Sequence, residues 1–170
     1  PGTKSDFRGK VILKDGKASA YLCDGEAFRA ERVNGALAWD DQADISGELS
    51  AVVQGTEVTA RGNYQDAENF SAELKSDGLA LSLLQPYILQ SGQNIQIGSG
   101  MAKDVSAKVQ KTGGTLTCRA EGTVENGDIT AAGHQFSDIQ SRFHASGTGI
   151  SLTDLSFAVD GQPARGSLSA

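Results

Sequence analysis

The stretch Ile45-Ser46-Gly47-Glu48-Leu49-Ser50-Ala51-Val52-Val53-Gln54 decides how the rest of the chain is read. Its odd positions, Ile45, Gly47, Leu49, Ala51 and Val53, are apolar or small. Its even positions are polar apart from Val52. A two-residue period sends one class of side chain to each face of a pleated strand. The same period returns in Val33-x-Gly35-x-Leu37-x-Trp39, Val58-x-Ala60-x-Gly62, Leu79-x-Leu81-x-Leu83, Ile95-x-Ile97, Val105-x-Ala107-x-Val109 and Leu155-x-Phe157-x-Val159. A long sheet that is greasy on one face and wet on the other closes on itself, packs a second layer, or holds something apolar. Choosing among the three is the functional question.

Composition bears on that choice. A chain of 170 residues suits one all-β domain with a core of its own. Only 38% of it is hydrophobic and 6% aromatic, while Gly occurs 21 times. Small residues such as Gly47, Ala51, Ala60 and Ala107 dominate the apolar stripes, and a filled sandwich needs more bulk. The expected fold is therefore all-β: an elongated, curved antiparallel meander sheet, open along one side, with an apolar face only partly filled by its own side chains. About 12 to 14 strands spaced about 4.8 Å apart would make it about 60 Å long.

Turn signals arrive throughout the chain, as such a fold requires. Asp15-Gly16 between Val11-Ile12-Leu13 and Ala18-Ser19-Ala20 predicts a two-residue hairpin. Asn126-Gly127 predicts a second and Gly113-Gly114 a third, while Asp40-Asp41-Gln42 separates the Trp39 strand from the Ile45 strand. The greasiest run, Leu79-Ala80-Leu81-Ser82-Leu83-Leu84-Gln85-Pro86-Tyr87-Ile88, contains a proline that bars a central strand. A linking segment over about residues 79–92 is expected there, with one short helix between Leu81 and Leu89 covering an end of the apolar face.

A shift of 106 superposes Val33 on Ile139, Leu37 on Phe143, Leu49 on Leu155, Val53 on Val159 and Gly55 on Gly161, and a two-residue gap then aligns Gly62 with Gly166. Residues 9–64 and 120–169 thus form a weak internal repeat, and the whole of 1–170 is expected to be one fragment of a longer repetitive β protein.

The net charge is −6 with a pI of about 4.8, and no basic stripe is present, which argues against a nucleic-acid partner and against polybasic contact with anionic headgroups. No run reaches the roughly 18 apolar residues of a membrane span. Cys23 and Cys118 fit no metal spacing; whether they are paired, free or introduced stays open. His134 and His144 read as exposed strand positions rather than as members of a nucleophilic triad. Asp40, Asp41 and Asp44 lack the glycine and closing glutamate of a calcium loop, and Glu26, Glu31 and Glu48 are scattered. Trp39, Tyr21, Tyr64 and Tyr87 are better placed to anchor a sheet edge or groove wall than to form a sugar platform. No catalytic residue, metal or cofactor is expected, and the protein is read as not an enzyme.

Three strings carry a family likeness: Leu79-Ala80-Leu81-Ser82-Leu83-Leu84-Gln85-Pro86-Tyr87, Ile95-x-Ile97-Gly98-Ser99-Gly100, and Asp104-Val105-Ser106-Ala107-Lys108-Val109. With Gly122-x-Val124-x-Asn126-Gly127-x-Ile129 and Phe136-Ser137-Asp138-Ile139, the chain resembles the AsmA-like superfamily over about residues 9–169. Within it the likeness is to the TamB family, inner-membrane-anchored subunits of the translocation and assembly module. The resemblance implies a periplasmic β-taco of a diderm bacterium whose apolar groove shields phospholipid acyl chains or apolar β-strands. Lipid transport between the membranes and outer-membrane protein assembly are the implied roles, with an outer-membrane barrel as partner of another part of the parent chain.

In such a groove Leu37, Leu49, Val53, Leu81, Ile97, Val109, Phe143, Leu155 and Phe157 should line the concave side, with Glu48 and Ser50 facing out. Edge-to-edge self-association through the first or last strand is expected. The alternative is a structural or adhesive module of a cell-surface protein, a β-sandwich or β-solenoid whose apolar face is wholly filled; it differs in leaving no large exposed apolar patch.

Overall fold

The computed structural model describes residues 8–21, 27–42, 44–90, 92 and 94–169. Ten strands follow one another: β1 (Gly9–Tyr21), β2 (Ala27–Trp39), β3 (Ile45–Val53), β4 (Thr56–Asp66), β5 (Asn69–Ala80), β6 (Ile95–Thr112), β7 (Thr115–Ala131), β8 (His134–Ser146), β9 (Gly149–Val159) and β10 (Gln162–Ser169). Between β5 and β6 lie a 3-10 turn, Leu81–Leu84, and the six-residue helix α1, Gln85–Gln90. The ten strands make one sheet whose spatial order is the sequence order, every neighbour antiparallel. The first and last strands do not meet, so the meander is open, and the described residues form neither a two-sheet sandwich nor a parallel solenoid.

Two-residue turns join most of the strands. At Gln54-Gly55, Gly113-Gly114, Ala132-Gly133 and Asp160-Gly161 both central residues have positive φ, the type I′ geometry whose twist matches the flanking strands. Gly113-Gly114 is thus the hairpin its sequence predicts. Asp15-Gly16 and Asn126-Gly127 are not: both lie inside single strands, β1 and β7, where they form bulges. Losing these two turns merges four expected strands into two, which reduces about 12 to the observed ten. The width across the strands is correspondingly about 43 Å rather than 60 Å. The physical ambiguity is real, because an Asp or Asn in the left-handed region serves a tight turn and a bulge equally well.

These bulges are a recurring device. Asp15, Arg32, Asp104, Asn126, Asp138 and Asp154 all have φ near +50°, and a register shift accompanies each. A bulge adds one residue and so exchanges odd and even positions between faces. The sequence changes its apolar phase at the same places. In β7 the stripe runs Cys118, Ala120, Gly122, Val124 and then Gly127, Ile129. In β9 it runs Ile150, Leu152 and then Leu155, Phe157, Val159. One face therefore stays apolar through a sheet whose strands reach 18 residues.

Leu79-x-Leu81-x-Leu83 does not continue as a strand; β5 stops at Ala80 and the helical segment follows. β6 reaches back beyond β5, leaving Ile95–Ser99 without a partner on that side. There the Gln85 side chain substitutes for a strand: its Nε2 donates to the Ile95 carbonyl (2.9 Å) and its Oε1 accepts from the Ile97 N–H (2.6 Å). Leu81 is buried against the sheet, its Cδ1 over Gly100 and Gly127.

The core is thin. Among the described residues Val33, Val53, Val58, Leu81 and Val105 are the buried apolar side chains, and none is fully enclosed. The accessible surface is 11650 Å2, against about 8,000 Å2 for a compact chain of this mass. At the shift of 106, β2, β3 and β4 fall on β8, β9 and β10, and the Arg32 bulge falls on that of Asp138. The two-residue gap after Gly55 does not appear: Leu49 pairs with Ala60 as Leu155 pairs with Gly166, so Gly166 corresponds to Ala60 rather than Gly62.

Candidate apolar groove

Cross-strand register shows which side chains share a face. One rung runs Val11, Leu37, Gly47, Gly62, Ala72, Val109, Cys118. The next runs Leu13, Gly35, Leu49, Ala60, Leu74, Ala107, Ala120, Ala145, Ile150, crossing nine strands without a charge. Toward the opposite strand ends Ile97, Ile129, Phe136 and Val159 form a third, and the rings of Phe136 and Phe157 lie 6.0 Å apart.

All nine residues assigned to the groove belong to this face. Val53 is buried; Leu37, Leu49, Ile97, Val109, Phe143, Leu155 and Phe157 are half-buried. Leu81 reaches the face from the 3-10 turn rather than from a strand. Val33, Val58, Leu74, Val105, Ile129, Phe136 and Ile139 share the face and were not assigned, although the same alternation marks most of them. For Ile129, Phe136 and Ile139 the bulges hide the phase.

The glycines explain how a face with few bulky residues stays continuous. Large side chains lie flat over glycines on neighbouring strands: Trp39 over Gly9, Leu37 over Gly47, Leu49 over Gly35 and Phe143 over Gly122. A Cβ on Gly47 would stand 2.4 Å from Leu37 Cδ2, and one on Gly122 would stand 2.8 Å from the Phe143 ring. The result is a shallow, low-relief apolar floor.

The other face is charged and wet. Glu48, Arg61, Glu73 and Lys108 form one rung of alternating sign. Arg61 Nε donates to Glu73 Oε2 (2.9 Å) and Lys75 Nζ lies 3.3 Å from Glu73 Oε1. The Arg61 hydrogen bond, then that of Lys75, holds the Glu73 carboxyl below the usual carboxylate range. Glu48 is exposed and Ser50 half-buried on this side.

At one end of the strands Trp39, Ile45, Tyr64 and Phe70 form a rung of the apolar face, while Ser46, Asn63, Ser71 and Gln110 on the opposite face line a shallow hollow beside Asp40 and Asp44. Tyr64 is 47% exposed and Ile45 40%. The two turns beside it carry Asp40, Asp41, Asp44, Asp66 and Glu68. Arg8 approaches Asp41 (3.5 Å) and Lys111 approaches Glu68 (3.1 Å). Asp40 Oδ1 accepts the N–H groups of Gln42 and Asp44 (2.9 and 3.1 Å), which closes the β2–β3 turn.

The histidines are on the surface. His134 Nδ1 lies 2.7 Å from Asp160 Oδ2 at the β9–β10 turn, and that contact lowers the Asp160 carboxyl. His144 lies 4.0 Å from Glu121. No three His, Cys, Asp or Glu side chains among the described residues gather as a metal site would require. Cys118 is half-buried in β7; Cys23 lies outside the described residues, as do the side chains of Tyr21 and Tyr87. No described helix is long and apolar enough to cross a membrane. Comparison with known protein families, with curated proteins and with solved structures gave no match.

Proposed function

We propose that this chain is a non-catalytic, lipid-shielding segment of a periplasm-spanning protein of the TamB type. It holds acyl chains on its apolar face while phospholipid passes between the inner and outer membranes, and it serves outer-membrane protein assembly through a barrel partner elsewhere on the parent chain. The observation that carries this reading is the uncharged rung from Leu13 to Ile150 on a sheet over which the described residues place no second layer. Each buried CH2 contributes about 0.8 kcal/mol, so a sixteen-carbon chain leaving water gains about 12 kcal/mol. A shallow floor of Leu, Val, Ala and Gly offers that environment at similar depth from strand to strand, without a deep well to stop transit.

The test places a photo-crosslinking side chain at Leu49, Leu155 or Glu48 in cells. Phospholipid adducts should form at Leu49 and Leu155 and be absent at Glu48. In parallel, Leu49→Arg and Leu155→Arg should abolish complementation, because a charge in mid-groove adds a barrier of at least about 2–3 kcal/mol. They should still fold, since the face is open to water; Glu48→Arg should complement. Equal adducts and equal complementation at Leu49 and Glu48 would overturn the reading.

A further inference from the structure

β1, at one free edge of the sheet, carries a basic row on its wet face. Lys10, Ile12, Lys14 and Lys17 lie on the side opposite Val11, Leu13 and Gly16, the phase changing at the Asp15 bulge. All four are exposed, Ile12 by 61%. None of the three lysines has an ion-pair partner among the described residues, and the residues of β2 facing Lys10 and Ile12 are Ala38 and Ala36. The backbone of this edge is open to pairing. The Asp40 N–H donates to the Asp44 carbonyl (3.2 Å), and alternation from there makes Leu37 and Gly47 a close pair without mutual hydrogen bonds. Leu37 therefore bonds to Val11, and Ile12, like Lys10, turns its N–H and carbonyl toward the free edge.

The internal repeat shows what stands beside such a strand. At the Asp15 bulge β1 passes from the Leu13–Gly35 pair to the Gly16–Val33 pair, and at the Asn126 bulge β7 passes from Val124–Ser141 to Gly127–Ile139. β1 thus takes the place of β7, with Lys10 on Glu121, Lys14 on Glu125 and Lys17 on Asp128. The charge is inverted at all three positions. On that side β7 has a neighbour, β6, whose Lys103 lies opposite Thr123, between Glu121 and Glu125, and whose Ser99 hydroxyl donates to Asp128 Oδ2 (2.6 Å). We infer that the β1 edge is a docking site for an extended acidic segment of a partner protein, added antiparallel as one more strand. Its carboxylates, at alternate positions, lie beside Lys10, Ile12 and Lys14, and its apolar side chains lie beside Val11 and Leu13. Backbone hydrogen bonds supply affinity and the lysines choose the partner. The same lysines confine self-pairing to high concentration, because antiparallel pairing about Ile12 sets Lys10 against Lys14 of the other copy.

The experiment follows the fluorescence anisotropy of short labelled peptides in which valine alternates with glutamate, glutamine or lysine, each titrated with the protein. At low salt the glutamate peptide should bind at least about tenfold tighter than the lysine peptide, with the glutamine peptide between them. In about 0.5 M NaCl the difference should shrink severalfold. Lys10→Glu/Lys14→Glu changes two exposed side chains, so the strand circular-dichroism signal should be unchanged while the order of the peptides reverses. Ile12→Pro removes an outward N–H without touching the β1–β2 ladder and should weaken the glutamate peptide at least about tenfold. Arg165→Glu, on the opposite edge, should leave its binding unchanged. A peptide with the same valines and glutamates in two blocks should bind at least about tenfold more weakly than the alternating one; equal binding of the two means that charge alone attracts it and overturns the inference. Equal binding of all three alternating peptides, binding of none, or a glutamate peptide indifferent to both β1 variants overturns it too. Self-association through β1 below the concentration at which the glutamate peptide binds makes a second copy the occupant and likewise overturns it. Lipid adducts at Leu49 test the groove alone, so the two readings fail separately.

Discussion

Ser76 is buried on the apolar face, where the cross-strand neighbours are Val58 and Val105. Its hydroxyl lies 3.0 Å from the carbonyls of both Glu57 and Gly78, to which its one proton is offered, and it accepts the Gly78 N–H at 3.3 Å. These bonds hold β5 where it leaves regular pairing with β6 opposite the Asp104 bulge. Ser76→Ala leaves backbone groups unsatisfied and should lower stability by about 1–2 kcal/mol, read as a shifted denaturant midpoint. Gly47→Ala should cost about 2–3 kcal/mol, because the added methyl meets Leu37 Cδ2 and the Ala36 carbonyl at 2.4 and 2.6 Å. Gly166→Ala, which meets nothing within 4 Å, should change stability by less than about 0.5 kcal/mol. Carboxylates supply a pH dependence. Asp66, held by Asn69, Glu73, held by Arg61, and Asp160, held by His134, all titrate below their ordinary values in the fold. Their contribution is full above the unfolded carboxylate range, about 4, and is lost as pH falls through the lowered folded values. Asp160→Asn should therefore reduce the loss of thermal stability between pH 5 and pH 3 and leave the slope above pH 6 unchanged.

The helical linker, the β3–β4–β5 run and the groove-facing positions of β3 and β9 are legible in the sequence because alternation there is unbroken or resumes cleanly after a turn. The strand count was not legible. Asn126-Gly127 has the composition of a hairpin, and only the pairing of Val124 with Ser141 and Gly127 with Ile139 reveals that the strand runs on. A local pattern cannot distinguish a turn from a bulge when both need the same backbone conformation; what decides is whether the apolar phase is inverted beyond it. It is inverted after Asn126, after Asp138 and after Asp154. Deleting Asn126 should consequently turn Ile129 toward water and bring Asp128 onto the apolar face. We expect a loss of several kcal/mol and broadened thermal unfolding, whereas Asn126→Gly should cost under about 1 kcal/mol because its φ of 50° suits glycine. Comparison of the two melting curves is the check.

A single curved layer with this much exposed surface has two free edges, and they are defended differently. On β10, the two-residue turn makes Val159 and Gln162 a hydrogen-bonded pair, so position 163 directs its backbone nitrogen away from β9; that residue is proline and has no N–H to offer. Arg165 points its N–H outward two residues later, beside a long charged side chain. β1 carries Lys10, Lys14 and Lys17 but no proline. Association at high concentration should therefore run through β1, and replacing Ile12 with proline should suppress it more than any change in β10. Light scattering against concentration decides; a strict monomer at millimolar concentration would refute edge pairing.

Because strand order follows chain order, the sheet also has a direction of mechanical weakness. A pull between β1 and β10 acts across the strands, loading the outermost ladder in peeling rather than in shear, so hydrogen bonds open a few at a time. The molecule should yield at low force in steps one strand long, and a tether built this way would extend under tension by shedding strands singly and shorten again by re-adding each to a template that is still in place.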